Sequence, residues 1–215
     1  EYVKDGKVDQ AILEQSQLFE FFNRYSSEDY ITGKHRDTQF AFAEVNLTHY
    51  TGGKHNSSHT VFSGMLILLE MKRPCVGMTV VKRESQKGLW AWMTGKSGGL
   101  KSVKFENPEF EKIFEVYSTD ENEAKTLVTP DFIQRLMKLN GIYDSQSVRC
   151  CFFENKLMLA ISHSQGGQEG NLFEAGISKN MEINLDDLHA YLGQFKGILD
   201  IIDTVVPPKA GIERE

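Results

Sequence analysis

From Val61 to Leu69 the chain reads VFSGMLILL, an apolar run interrupted only by Ser63 and Gly64. It falls far short of the roughly 20 residues a membrane helix needs. Its length and flanking turn signals suit a strand buried on both faces. Such a strand is central by necessity, since it needs partners on both edges and packed layers above and below. The reading places it at Thr60 to Met71, ended at Arg73-Pro74 because proline removes a ladder donor. Upstream, Thr38 to Tyr50 is rich in aromatic and β-branched residues. The polar stretch Thr51-Gly52-Gly53-Lys54-His55-Asn56-Ser57-Ser58 between the two runs reads as a hairpin loop. Phe40 and Phe42 differ in parity from Val45 and Leu47, so a bulge near Ala43-Glu44 is predicted to bring both pairs to one side.

Around this hairpin the pattern predicts further elements. Ile12, Leu13, Ser16, Phe19 and Phe22 fall near helical spacing, which predicts an opening helix over Val8 to Phe22. Asp29 to Lys34, Met78 to Lys82 and Leu100 to Phe105 read as strands. Asn107-Pro108 is an N-cap followed by proline at the first helical position, with Glu109 and Glu111 suited to the positive end of the helix dipole. Phe114 to Ser118 alternates as a strand, Asp120 restarts a helix to Val128, and Thr129-Pro130 opens another that Gly141 should stop. Ser147 to Phe153 and Lys156 to Ser162 flank Glu154-Asn155 as a two-residue hairpin. A final amphipathic helix is expected over Leu185 to Val206, capped by Asn184, with Leu188, Leu192, Phe195, Leu199, Ile202 and Val206 on one face.

The stretch PEFEKIFEVYSTDENEAKTLVTPDFIQRL, residues 108–136, resembles the bacterial family of proteins of unknown function designated DUF3137. The family run is Phe-Glu-Val-Tyr-Ser, then Asp, then Glu-Ala, then Leu-x-Thr-Pro. Further agreement lies at Ser16 to Phe19, Glu28-Asp29-Tyr30 with Gly33, Phe62 and Gly64, Asn155-Lys156-Leu157, Asn171-Leu172-Phe173-Glu174 and Ile198 to Asp203. The resemblance implies no catalytic residue. It implies a soluble domain that follows an N-terminal membrane anchor, and the expected location of that domain is the cytoplasmic face of the bacterial inner membrane. The sequence begins at Glu1 with no basic and apolar leader behind it, which fits an anchor lying upstream.

Charge narrows the partners. With 24 Lys+Arg against 30 Asp+Glu the net charge is −6, which excludes a whole-chain electrostatic footprint for nucleic acid and a cationic attachment to bilayers. The three cysteines, Cys75, Cys150 and Cys151, are an odd number, and a vicinal pair on a strand points to opposite faces, so no disulfide framework is expected.

Candidate chemistry is sparse. His49, His55 and His59, with His35 nearby, could present imidazoles to zinc in a metal-dependent hydrolase, but their spacing matches no standard site and a solvated loop explains them better. Thr94-Gly95-Lys96-Ser97 ends like a phosphate-binding loop, yet Trp90 stands where its first glycine belongs, which excludes that reading. Trp90, Trp92 and Met93 fit a packed turn, with an exposed binding surface as the alternative. Arg149 beside Cys150 and Cys151 could lower a thiol pKa, against the simpler reading of buried core cysteines. Asp186 and Asp187 suit a helix start, and Asp200 and Asp203 a solvent face.

The expected fold is therefore α+β: a single domain over residues 1–215 with a mostly antiparallel sheet of about six to nine strands, inserted helices and a long C-terminal amphipathic helix. Its element order is similar to the pleckstrin-homology-like architecture. The expected function is a non-enzymatic binding or scaffolding module with an unidentified protein or small-molecule partner. No catalytic, cofactor or metal residue is assigned, and neither nucleic acid nor direct membrane contact is expected.

Overall fold

The computed structural model of the chain describes residues 1–3, 6–52, 57–83, 99–142 and 148–162, together with Lys196, Leu199, Asp200, Ile202 and Asp203. Its strands are β1 (Tyr2–Val3), β2 (Arg24–His35), β3 (Thr38–Thr51), β4 (Ser57–Glu70), β5 (Thr79–Arg83), β6 (Lys101–Val103), β7 (Phe114–Ser118), β8 (Val148–Phe153) and β9 (Lys156–Ser162). Its helices are α1 (Gln10–Gln15), α2 (Pro108–Ile113), α3 (Glu121–Leu127) and α4 (Pro130–Ile142). All nine strands join one antiparallel sheet in the order β1-β2-β3-β4-β9-β8-β5-β7-β6. A simple meander would keep sequential strands side by side. Here β9 returns to pair with β4, and β5 to β7 build the far half of the sheet, so the order departs from the pleckstrin-homology-like comparison.

The central strand is buried on both faces, as the apolar run requires. Met65, Ile67 and Leu69 of β4 join Phe40, Phe42, Cys150, Phe152, Leu157 and Leu159 on one face, covered by Phe110, Leu127, Phe132, Ile133, Leu136 and Leu139 from α2, α3 and α4. Phe62 and Leu66 join Val45, Leu47, Val80, Cys151 and Met158 on the other, covered by Val8, Leu13, Leu18, Phe19 and Phe22 from the N-terminal segment. The parity change in β3 thus needs no bulge in that strand: Phe40 and Phe42 serve the first face, Ala43, Val45 and Leu47 the second. The irregularity lies in the neighbouring strand. Glu28 pairs Glu44 and Ile31 pairs Phe42, so Asp29 and Tyr30 bulge opposite Ala43, with Asp29 at φ 50°.

Local rules explain the helices. Asn107 accepts from the Phe110 amide at 3.0 Å, Asp120 from the Glu123 amide at 2.9 Å and Thr129 from the Phe132 amide at 3.2 Å, each an N-cap satisfying an orphan donor. Gly141 sits inside α4, which runs on to Ile142. The opening helix is shorter than its spacing predicts. The Ser16 hydroxyl donates to the Leu13 carbonyl at 2.7 Å and Gln17 takes φ 53°, which ends α1 at Gln15. Leu18, Phe19 and Phe22 stay buried on the irregular segment beyond it, so their helical spacing reflects burial by a loop. The expected C-terminal helix falls mostly outside the described residues, Phe195 included. Its described positions are helical, with Ile202 buried and Leu199 partly so against the first face.

Gly64 shows why glycine interrupts the central run. A Cβ there would lie 2.1 Å from the Ile161 carbonyl oxygen, in backbone that φ +158° already strains for a side chain. Gly64→Ala should therefore destabilise the fold by about 1 to 3 kcal/mol through forced separation of β4 and β9. Urea melts check this, and an unchanged midpoint would show that the two strands separate without cost.

Candidate functional site

The residues of the 114–130 motif hold the far half of the sheet. Phe114 and Val116 are core, and the Ser118 hydroxyl bonds Thr79 Oγ1 at 2.9 Å and donates to the Asp120 carbonyl at 2.8 Å. Glu123 is buried, and its carboxylate accepts from the Val76 and Gly77 amides at 2.7 Å each, pinning the 75–77 loop. Glu115 answers a fully buried lysine. Lys82 Nζ lies 2.8 Å from Glu115 Oε2, Tyr117 donates to the same oxygen at 3.0 Å, and the ammonium sits 5.3 Å from the Tyr117 ring centroid. Partial burial acts to raise the Glu115 pKa, but the hydrogen bonds from Lys82 and Tyr117 and the charges of Lys82 and Lys104 prevail and lower it. Burial raises the Tyr117 phenol, and its hydrogen bond to the Glu115 carboxylate and that group's charge raise it further. The cluster contains no free nucleophile and serves the sheet.

A second buried charge lies on β8, the strand that pairs with β5. The Arg149 guanidinium donates to the Leu18 carbonyl at 3.1 Å and sits 5.0 and 4.9 Å from the Phe19 and Phe62 ring centroids. Burial lowers it to about 10, against a smaller raising effect of Glu20. It remains a cation at neutral pH and fastens the N-terminal segment to β8.

A cleft opens on the first face. Leu69, Phe152 and Leu157 form its floor and Leu127 and Phe132 its wall, enclosing about 440 Å³. The Phe132 and Phe152 rings are 5.2 Å apart, which fixes the meeting of wall and floor. Along one lip run Met71, Lys72 and Arg73, held to the β8–β9 turn by hydrogen bonds from the Met71 and Cys75 amides to the Asn155 and Glu154 carbonyls. Along the other run Thr126, Thr129 and Asp131. Asp131 pairs with Arg135 at 2.8 Å, and Lys72 stands 3.7 Å from Asp37.

The histidines divide. His49 and His59 face each other across β3 and β4 with ring centroids 5.0 Å apart, and Phe21 lies edge-on to His49 at 5.3 Å. His35 belongs elsewhere, with Nε2 2.6 Å from Asp203 Oδ1, while Arg36 donates to Asp203 Oδ2 at 2.9 Å. His55 lies outside the described residues, as do Trp90, Trp92, Met93, Thr94 to Ser97, Asp186 and Asp187. Among the described residues no group of three or more His, Cys, Asp and Glu side chains could hold a metal ion. Asp203 is only partly exposed, and its carbonyl also accepts from Arg135, tying residue 203 to α4 and the β2–β3 turn. Cys150 and Cys151 point into opposite cores, and burial raises both thiols, which overturns the reactive-thiolate alternative.

The same stretch that carries the caps and the Glu123 clamp falls inside a family match. The model of a protein family of unknown function, DUF3137, matches residues 60–206. The chain belongs to the DUF3137 family. No curated protein matches it. Among solved structures, the crystal structure of the mycobacterial trehalose monomycolate transport factor A, TtfA, is similar at a TM-score of 0.43 and 10% identity, covering 97% of this chain and 89% of that one. Among the described residues of this DUF3137 chain, no helix is long and apolar enough to cross a membrane.

Two predictions follow from the motif's geometry. The lowered Glu115 pKa contributes stability that is present above the ordinary carboxyl value of about 4.5 and is lost as pH falls through the folded value. Urea melts should show Glu115→Gln well below the parent at pH 6, with the gap closing toward pH 3. A gap independent of pH would remove the ion pair from the account. For the thiols, a maleimide reagent should label Cys75 alone under native conditions, since only it is partly exposed, although burial and the Glu123 charge raise its pKa. Mass analysis showing native labelling of Cys150 or Cys151 would contradict the two-core description.

Proposed function

We propose that this chain is a non-enzymatic binding domain, tethered in its full-length form to the bacterial inner membrane and facing the cytoplasm, whose binding site is the cleft between the sheet and α3–α4. The observation that carries this reading is the cleft itself. Its volume of about 440 Å³ lies in the range of small-molecule sites, about 300–1,000 Å³. Leu69, Leu127, Phe132, Phe152 and Leu157 give it apolar walls, and Thr38, Glu70, Lys72, Arg73, Thr126, Thr129 and Asp131 add polar groups. Such a surface recognises by burial and shape. The polar clusters elsewhere hold the fold: Lys82 with Glu115, Glu123 with the 75–77 loop, Arg149 with the N-terminal segment. A metal-dependent hydrolase has less support, since a catalytic zinc takes three protein ligands with a fourth position open, and the described residues bring together only the pair His49 and His59.

The neutral fluorophore N-phenyl-1-naphthylamine is the direct probe. Saturable binding by the parent, abolished by Thr126→Trp at the exposed lip of the cleft, is the expected result; Thr126 is on the surface of α3, so the fold survives the change. Equal binding by parent and variant would place the site elsewhere. Fractionation of cells expressing full-length and truncated protein tests the tether, with loss of the truncated form from membranes expected.

A further inference from the structure

The charges around the cleft select among apolar ligands. This inference rests on the reading of the cleft as a binding site. Glu70 also lines the cleft, and its cross-strand neighbour Lys156 sets a cation opposite it. Asp131 is engaged by Arg135 Nε at 2.8 Å. Two cations remain at the mouth. Lys72 is exposed and only loosely paired with Asp37, at 3.7 Å. Arg73 is exposed at the lip and makes no ion pair among the described residues. An apolar recess whose entrance carries an available guanidinium is complementary to an apolar body with one anionic end. A guanidinium offers two parallel N–H donors, a geometry that matches a carboxylate.

We propose that the cleft binds a small amphiphilic monocarboxylate, its tail between Leu127, Phe132, Phe152 and Leu157 and its carboxylate at Arg73. Volume bounds the tail. At roughly the 30 Å³ that a small solvent-sized group occupies, a space of about 440 Å³ takes a chain of about ten carbons with its headgroup.

Displacement of bound N-phenyl-1-naphthylamine by decanoate, decanol and decylammonium tests this. Decanoate should compete about fivefold more tightly than decanol, as an exposed charge pair allows, and decylammonium least. Arg73→Gln, on an exposed loop, should erase the decanoate advantage and leave decanol unchanged. From hexanoate to decanoate, affinity should rise by up to about fourfold per methylene. Equal competition by decanoate and decanol, with the fluorophore still bound saturably, would overturn the carboxylate while leaving the cleft as a binding site. Failure of the fluorophore to bind at all would overturn both. A dimer in sedimentation velocity that Thr126→Trp dissociates would make a second copy the occupant and overturn the proposal as well.

Discussion

The ladder between β4 and β9 is where the two halves of the sheet become one. On one side stand β1 to β3, on the other β8, β5, β7 and β6, and the register from Gly64↔Ser162 to Glu70↔Lys156 is the backbone seam between them. Both strands at this seam are apolar on both faces. Every layer of the molecule therefore leans on it: α2 to α4 pack against Ile67, Leu69, Leu157 and Leu159, and the N-terminal segment against Phe62, Leu66 and Met158. The cleft also takes its floor here, from Leu69 and Leu157 with Phe152 beside them.

Buried charge reinforces this frame on the adjacent strands β8, β5 and β7. Lys82 and Glu115 oppose one another in the β5–β7 register, so the strand pairing and the ion pair specify the same alignment. Removing Glu115 leaves the fully buried Lys82 ammonium without its carboxylate, which is more costly than the intact pair is stabilising. Arg149 has no carboxylate hydrogen-bonded to it among the described residues. It is sustained by the Leu18 carbonyl and two aromatic faces, and its Nε is without a hydrogen-bond partner. That arrangement makes the course of residues 16–22 depend on β8, although no strand pairing joins them.

What the sequence disclosed was local. Caps at Asn107, Asp120 and Thr129, the Glu154-Asn155 turn and the double burial of residues 61–69 all arise between residues close in the chain, so their types and spacing carry the signal. The return of β9 to β4 pairs residues almost a hundred positions apart, and no local pattern records it. Residues 16–22 misled because burial by a loop can imitate helical spacing. Lys82 and Glu115 look like ordinary surface charges until their register is known. The cleft was invisible for the same reason: Leu69, Leu127, Phe152 and Leu157 are unremarkable core residues singly, and only their convergence leaves space. Asp203 joined to His35 is another case, with a separation of 168 residues.

The outer border of the sheet has its own consequence. Among the described residues β1 pairs with Tyr30 and Ile31 of β2 and Glu1 bonds Thr32, leaving most of a 12-residue strand without a described neighbour on that side. Long bare edges of this kind recruit other chains and seed aggregates. Here the bulge at Asp29 and Tyr30 breaks the edge in the middle, and Arg24, Glu28 and Lys34 spread charge along it. A passing strand would find no uninterrupted row of donors and acceptors to copy along the described edge.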